Sequence, residues 1–388
     1  MISVTKAPGF FLSVTLIFYR DTLAPIRIDV TSERGTYPVL VAAGLTGSPT
    51  ATLTSIKLWG HALTGDRLIV SSPAVWKLHG APWRGVAGKR GPVLIADGEK
   101  AKTLATVSRL YDAFADNTLD RSATIIAIGG GVIGDIAGFA AATYLRGLRV
   151  IHVPTTLLAQ VDSAIGGKTG VNLAAGKNLV GSFHSPAAVL CDPSVLGTLP
   201  RREFRAGLYE VIKYGVISAP DILDTMERDL AAIFAHRAEV LTPLIGKCCQ
   251  IKAAIVMADE RESGPRRALN FGHTFGHALE AVTKYRRFRH GEAVGYGMLA
   301  AARLSVLRGL MTTDEEARLT RIIRSLGPLP VVSDLKVKDV LAAAGRDKKV
   351  MSGTLHFVAA HHFGKTSDVQ DATTDELKTV ARSIGLKT

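Results

Sequence analysis

From about residue 26 to 195 the chain alternates short apolar runs with helical patterns. The runs are YPVLVAAG (37–44), DRLIVSS (66–72), GPVLIADG (91–98), ATIIAIGG (123–130) and LRVIHVP (148–154). Each is rich in Val, Ile or Leu and ends in Gly, Ser or Pro, the punctuation of strands. Between two of them, AKTLATVSRLYDAFADN (101–117) repeats apolar residues at helical spacing. Near-continuous apolar strands alternating with helices predict a parallel sheet covered on both faces, a Rossmann-like α/β unit over 26–198.

After Pro200 the period changes to 3.6 residues. RREFRAGLYEVIKYGVI (201–217), APDILDTMERDLAAIFAHR (219–237), EVLTPLIGKCCQIKAAIVMADE (239–260), ALNFGHTFGHALEAVTK (268–284), HGEAVGYGMLAAARLSVLRGL (290–310) and TTDEEARLTRIIRSLG (312–327) all read as helices. The last opens on a threonine followed by Asp-Glu-Glu, a good capping sequence. GTLHFVAAHHFGKTSDV (353–369) reads as a hairpin and TDELKTVARSIG (374–385) as a final helix. The expectation is an all-α C-terminal unit over 199–388, joined to the first near 195–205. Residues 1–25 match neither pattern. Their apolar stretch FFLSVTLIF is too short to span a bilayer, so a disordered extension is expected there rather than a targeting segment.

A length of 388 residues suits two units. A net charge of +13 suits nucleic acid, a membrane surface or a small acidic substrate. Aromatics are only 6%, and no nucleic-acid-binding motif appears, which favours the small acidic substrate. No run outside the N-terminal stretch reads as a membrane span. The three cysteines, two of them adjacent, form neither a disulfide framework nor a CxxC metal site, so a reducing cytoplasm is expected.

Gly129, Gly131 and Gly134 satisfy GxGxxG between a predicted strand and a predicted helix. Without Cβ atoms a pyrophosphate can approach the main chain there, although a tightly packed strand-to-helix turn asks for the same residues. The acidic residue expected about 20 positions on is absent. Asp135 stands instead in what reads as the first helical turn, where it would point past the phosphates. QVDSAIGGKTGVNLAAGKNLVG (160–181) reads as a glycine-rich polar loop, not a P-loop, and carries Asp162, Lys168, Lys177 and Asn178.

Glu210 and Lys213 share one face of an otherwise apolar helix and need partners if buried. Asn270, His273 and His277 share another face, with His290 and Glu292 beyond. Spacing alone pairs His273 with His277 as metal ligands, with core histidines as the alternative. Arg146, Lys252, Arg266, Lys348 and Lys349 would form an anion pocket if they converged.

Together GGGVIGDIAGFAAATYLRG, VPTTLLAQVDSAIGGKTGVN, GKNLVGSFHSP, EVIKYG, ADERESGPRRALNFGHTFGHALE, RHGEAVGYGM and RDKK resemble the 3-dehydroquinate synthase family of sugar phosphate cyclases over about residues 36–385. The resemblance implies conversion of 3-deoxy-D-arabino-heptulosonate 7-phosphate to 3-dehydroquinate and phosphate in the shikimate pathway, with catalytic NAD and a divalent metal, Zn²⁺ or Co²⁺. It implies Glu210, His273 and His290 as metal ligands, against the spacing-based pair, and leaves His277 to touch substrate. It implies a substrate site of Asp162, Lys168, Asn178, Lys213, Lys252, Arg266, Asn270, His277 and Lys348 or Lys349, with Arg146 supplied by the partner in a homodimer. It assigns cofactor contacts to Glu99, Lys102, Gly130, Gly131, Val132, Gly134, Asp135, Thr155, Thr156, Lys177 and Thr198. VSSPAVWKLHG departs from the family's polar adenine-side segment, so contacts near Ser71 and Ser72 are unassigned. The rival readings are another sugar phosphate cyclase or a glycerol dehydrogenase-like oxidoreductase.

Overall fold

A computed structural model describes residues 25–56, 65–87, 91–261, 264–348 and 356–388, so nearly all of the proposed N-terminal extension, and Lys349, lie outside the described residues. Among the described residues, nine strands precede residue 192: β1 (Ile26–Ser32), β2 (Gly35–Val41), β3 (Arg67–Ser71), β4 (Val93–Leu94), β5 (Thr124–Gly129), β6 (Arg149–Pro154), β7 (Lys168–Leu173), β8 (Gly176–Phe183) and β9 (Ala188–Cys191). Seven form one sheet in the order β1-β2-β9-β6-β5-β3-β4. All its pairings are parallel except β1 with β2. The parallel sheet expected from the apolar runs gains an antiparallel strand at one edge, where a two-residue turn after Ser32 folds IRIDVTS back on β2. A turn that short permits only antiparallel pairing.

Both faces of the sheet are covered, and β5 shows how. Ile125 and Ala127 enter one apolar cluster, whereas Ile126 and Ile128 enter another on the opposite face. Each fully buried isoleucine contributes about 1.5–3 kcal/mol by leaving water. This double burial is why the strand reads as an unbroken apolar run.

The main helices are α1 (Leu104–Asp116), α2 (Gly131–Thr143), α3 (Arg201–Ile217), α4 (Ala238–Ala258), α5 (His273–Val282), α6 (His290–Leu307), α7 (Thr313–Ser325), α8 (Val337–Lys348) and α9 (Thr374–Ser383). Thr312 caps α7 with a reciprocal box to Glu315, as its sequence anticipated. A hairpin of β10 (Phe357–His362) and β11 (Lys365–Val369) interrupts the helical half where a hairpin was expected, so that half is mainly rather than wholly α.

The two halves share apolar packing. One cluster joins Ile28, Val39 and Val189 of the sheet to Tyr209, Ile212, Leu241 and Cys248 of α3 and α4. Contrary to the reading that no further segment approaches membrane-spanning length, α4 is long and apolar enough to qualify. Its residues Leu241, Ile245, Cys249 and Ala253 are instead buried in this cluster, which explains its composition without a bilayer. The three cysteines are free and buried.

From β3 the chain moves outward to β4, then crosses to the other side of β3 for β5. This reversal opens a crevice at the carboxyl ends of β3 and β5, where doubly wound sheets bind ligands.

Candidate active site

The glycine turn lies at that crevice. Gly130 is the N-cap of α2 and supplies no side-chain cap, so the first-turn N–H groups are left for a ligand. Packing also demands glycine here. A Cβ on Gly129 would sit 2.5 Å from Ile133 Cγ1, and one on Gly131 would sit 2.9 Å from Ser163 Oγ. That hydroxyl is buried with no hydrogen-bond partner among the described residues. Beneath the turn, a cavity of about 10 Å³ is lined by Gly130, Gly134, Asp135, His152, Ser163 and Lys168. The packing reason for the bare backbone therefore holds.

Asp135 is the fifth residue of α2, one turn deeper than expected. It accepts from Lys102 Nζ at 2.5 Å, and the same ammonium donates to Asn178 Oδ1 at 2.5 Å. Burial, partly offset by Lys102, pushes the Asp135 carboxyl up to about 6. The stretch 168–183, expected to be a loop, is the antiparallel hairpin β7–β8. Its glycines hid the strand pattern, yet Gly170 and Gly181 pack backbone against backbone across the pair. The hairpin brings Asn178 to Lys102, and Asn172 donates to Glu99 Oε1 at 2.7 Å. Thr155 N–H donates to the Gly129 carbonyl at 3.0 Å, and the Thr156 methyl lies beside Gly130. Thr198, expected to touch the cofactor, is bonded to His79 at 2.8 Å.

One residue at the crevice was not picked from the sequence. Asp97 accepts from Ser72 Oγ at 2.8 Å, and Ser72 caps the helix that follows β3. Ser71 turns inward to the Ile128 carbonyl. The acid at the start of DGEK was the available signal for Asp97.

On the helical side, Glu210 is fully buried in α3, and Lys213, only 1% exposed, pairs with it. Burial disfavours the Lys213 ammonium, but Glu210 and Asp162 outweigh it and the pKa is raised. Glu210 Oε1 faces His273 Nε2 at 3.8 Å and His290 Nε2 at 3.7 Å and has no hydrogen-bond partner among the described residues. Those separations exceed a hydrogen bond but approximate the edge of a coordination polyhedron with bonds of about 2.0–2.2 Å. Both imidazoles are oriented for ligation. His273 Nδ1 donates to the Phe271 carbonyl at 3.2 Å, and His290 Nδ1 donates to Glu280 Oε2 at 3.2 Å, so each Nε2 presents a lone pair. Burial, then Lys213, keep His273 neutral by lowering its pKa. Ligand atoms of Glu210, His273 and His290 all lie within 4.8 Å of one another. This donor set fits a divalent ion such as zinc.

The spacing-based pair of His273 and His277 is corrected. His277 does not join that trio; it groups with Glu280 and His290 in a second one. Its ring nevertheless remains close, 5.3 Å from that of His273. Glycines explain why His290 rather than His277 reaches Glu210. A Cβ on Gly291 would overlap the Ala206 carbonyl, and one on Gly297 would overlap that of Gly272. Only bare backbone lets α6 approach α3 and the start of α5 so closely. Glu292, buried beside His290, is no ligand; it accepts bidentate bonds from Arg202 at 2.7 Å and boxes the α6 N-terminus.

Next to the trio, Lys252 pairs with Asp162, and the Tyr214 hydroxyl lies 3.3 Å from Asp162. Burial would raise the Asp162 pKa, but Lys252 and Lys213 prevail and hold it far below the usual carboxylate range. Arg266 is buried, donates to the Glu260 carbonyl at 2.5 Å, and lies near enough to depress the Lys252 pKa after burial and Lys213. Asn270 ends the 3₁₀ turn that precedes His273. Lys348 ends α8.

Arg146 does not join this group within one chain. It lies at the opposite end of α2, in a cavity of about 490 Å³ with Arg34, Arg121, Arg149 and His184. Leu145 and Arg146 both have left-handed backbone there, with φ of 51° and 69°.

Residues 92–206 match the family described as 3-dehydroquinate synthase N-terminal, and residues 207–350 match 3-dehydroquinate synthase C-terminal. A 3-dehydroquinate synthase of Solibacter usitatus is 45% identical over 308 residues, 79% of this chain and 86% of its own length. One from Haemophilus ducreyi is 41% identical over 361 residues, 91% and 98% of the two chains. Among solved structures, a 2-epi-5-epi-valiolone synthase from Streptomyces hygroscopicus, with NAD⁺ and Zn²⁺ bound, superposes with a TM-score of 0.80 at 28% identity, over 90% of this chain and 96% of that one.

Proposed function

The chain belongs to the 3-dehydroquinate synthase family, and from that premise we propose how its residues divide the work. The reaction takes 3-deoxy-D-arabino-heptulosonate 7-phosphate to 3-dehydroquinate and phosphate without net oxidation. The single observation that carries the reading is the buried Glu210 carboxylate, with one oxygen unsatisfied, facing two pre-oriented imidazoles from different helices.

When bound at Glu210, His273 and His290 and at the glycine turn, the divalent ion supplies Lewis acidity and the nicotinamide a reversible two-electron sink. The turn would hold the pyrophosphate on uncapped N–H groups of Gly131 and Val132, with Gly130 and Gly134 leaving room. Glu99, Lys102, Asp135, Thr155, Thr156, Lys177 and Thr198 would supply the remaining cofactor contacts, with Asp135 assigned to the nicotinamide end.

Lys252, Arg266, Asn270 and His277 bind the substrate carboxylate and phosphate. Lys168, Asn178 and Asp162 orient the hydroxyl groups, Lys213 neutralises charge beside the ion, and Lys348 or Lys349 is assigned a further substrate contact. Asp162, pinned by Lys252, is a poor base. A phosphate oxygen of the substrate, titrating near pH 6, suits removal of the proton next to the transient ketone. Arg146 serves the neighbouring subunit of a homodimer, and we place the protein in the cytoplasm, consistent with its free thiols.

The 26–198 half carries the cofactor and the 199–388 half the metal and most of the substrate contacts, with Asp162, Lys168 and Asn178 added from the first half. Retention of Lys252, Asn270 and His277, with 41–50% identity to dehydroquinate synthases against 28% to the valiolone synthase, favours the heptulosonate over other sugar phosphates. The test is phosphate release from the heptulosonate phosphate with and without chelator and NAD⁺. Chelation should abolish release, and NADH should not accumulate. Activity after thorough chelation would refute the metal role, and net NADH would favour the dehydrogenase alternative.

A further inference from the structure

Lys177 stands where the two halves meet. Its ammonium lies 3.9 Å from Glu99 Oε1, 3.8 Å from Glu280 Oε1 and 4.0 Å from the centre of the Tyr285 ring. None of these is a hydrogen-bond distance, so the charge is shared among three neighbours and locked to none. Glu99 belongs to the cofactor side through Asn172 and the β7–β8 hairpin. Glu280 belongs to the metal side: its other oxygen accepts from His290 Nδ1 at 3.2 Å. The Tyr285 seat is built at a backbone cost, since Lys284 and Tyr285 are consecutive non-glycine residues with φ of 52° and 55°. None of Glu280, Tyr285 or the Lys177–Glu280 contact was singled out from the sequence. Glu280, three residues after His277, was the available signal.

We propose that Lys177 couples the two cofactor sites: by dividing its charge between Glu99 and Glu280, it makes metal affinity depend on whether NAD is bound. The inference rests on the family-based reading above. In the free protein, Lys177 offsets part of the Glu280 charge, and the His290 Nδ1–H meets a weakened acceptor. An anionic pyrophosphate at the glycine turn draws the ammonium to the cofactor side. Glu280 then accepts from His290 with its full charge, and His290 becomes a better donor through Nε2. Linkage requires the converse, so metal tightens NAD binding by the same factor. Glu280 acts here through His290 and is a positioning residue.

The experiment uses full-length protein stripped of metal. Zinc affinity is read by competition with a chromophoric chelator, with and without NAD⁺ at saturation verified by calorimetry. The wild type should bind zinc at least about fivefold more tightly with NAD⁺, within the usual range of coupling between sites. In Lys177→Met the ratio should fall to about one, because zinc binding without NAD⁺ rises to the coupled level. Lys177→Arg, which keeps the charge, should preserve the ratio. Glu280→Gln should weaken zinc about 10- to 100-fold whether or not NAD⁺ is present. A wild-type ratio of one, or an unchanged ratio in Lys177→Met, would overturn the proposal. Normal phosphate release with a ratio of one would reject only the coupling, whereas absence of turnover and of zinc binding in the wild type would reject the family-based reading.

Discussion

Lys213→Met tests the electrostatics of the metal centre without touching a ligand. In the metal-free protein the Lys213 ammonium is the cation paired with the fully buried Glu210 carboxylate. Methionine fills a similar volume and leaves that carboxylate facing imidazoles at 3.7 and 3.8 Å, beyond hydrogen-bond reach. A unit-charge pair at about 4 Å is worth about 4 kcal/mol at an effective dielectric constant near 20. Breaking one side of a buried pair costs about 3–5 kcal/mol. The lower end, about 3 kcal/mol, is expected, because His290 shares the load. Its pKa is depressed by burial but raised more by Glu280 and Glu210. The assay is urea denaturation of metal-free and zinc-saturated protein. Zinc supplies a replacement cation, so the deficit should shrink below about 1 kcal/mol at saturation, by preferential binding to the folded state. A metal-free variant within about 0.5 kcal/mol of wild type, or a deficit that zinc leaves unchanged, would refute the account.

Gly129→Ala places a methyl 2.5 Å from Ile133 Cγ1. It should cost about 1–3 kcal/mol by overpacking and, by tilting the start of α2, weaken NAD⁺ at least about tenfold, the loss of one charge-assisted hydrogen bond; calorimetry showing wild-type affinity would remove the turn from the cofactor site. Asp135, with its pKa pushed up to about 6, is neutral below that pH and anionic above it. An oxidised nicotinamide carries positive charge, so NAD⁺ affinity should rise between pH 5 and pH 7 with an inflection near 6, and Asp135→Asn should flatten the curve. A flat wild-type curve would separate Asp135 from the nicotinamide. If Arg146 works across a dimer, mixing inactive Arg146→Ala and Lys213→Met chains under exchange should restore about a quarter of wild-type activity, because half the dimers then hold one intact site. No recovery with confirmed subunit exchange would return Arg146 to its own chain.

Features that depend on short-range chemistry were legible in the residues alone. Val- and Ile-rich runs with Gly or Pro stops identified β5 and β6, the 3.6-residue period identified α3 and α6, and Thr312 with Glu315 marked the start of α7, because strand, helix and cap are each decided within a few residues. The ordered motifs were specific enough to indicate the family and, through it, Glu210, His273 and His290. Spacing alone favoured His277, since it sees only neighbours on one helix. The antiparallel edge strand, the β7–β8 hairpin, the true depth of Asp135 and the convergence on Lys177 were decided by tertiary structure. They depend on how closely separate elements approach, and here that approach is set by absent side chains, as where Gly291 and Gly297 let α6 nest against Ala206 and Gly272. A glycine announces freedom in the sequence, but which backbone will occupy the space it leaves is settled only when the whole chain packs.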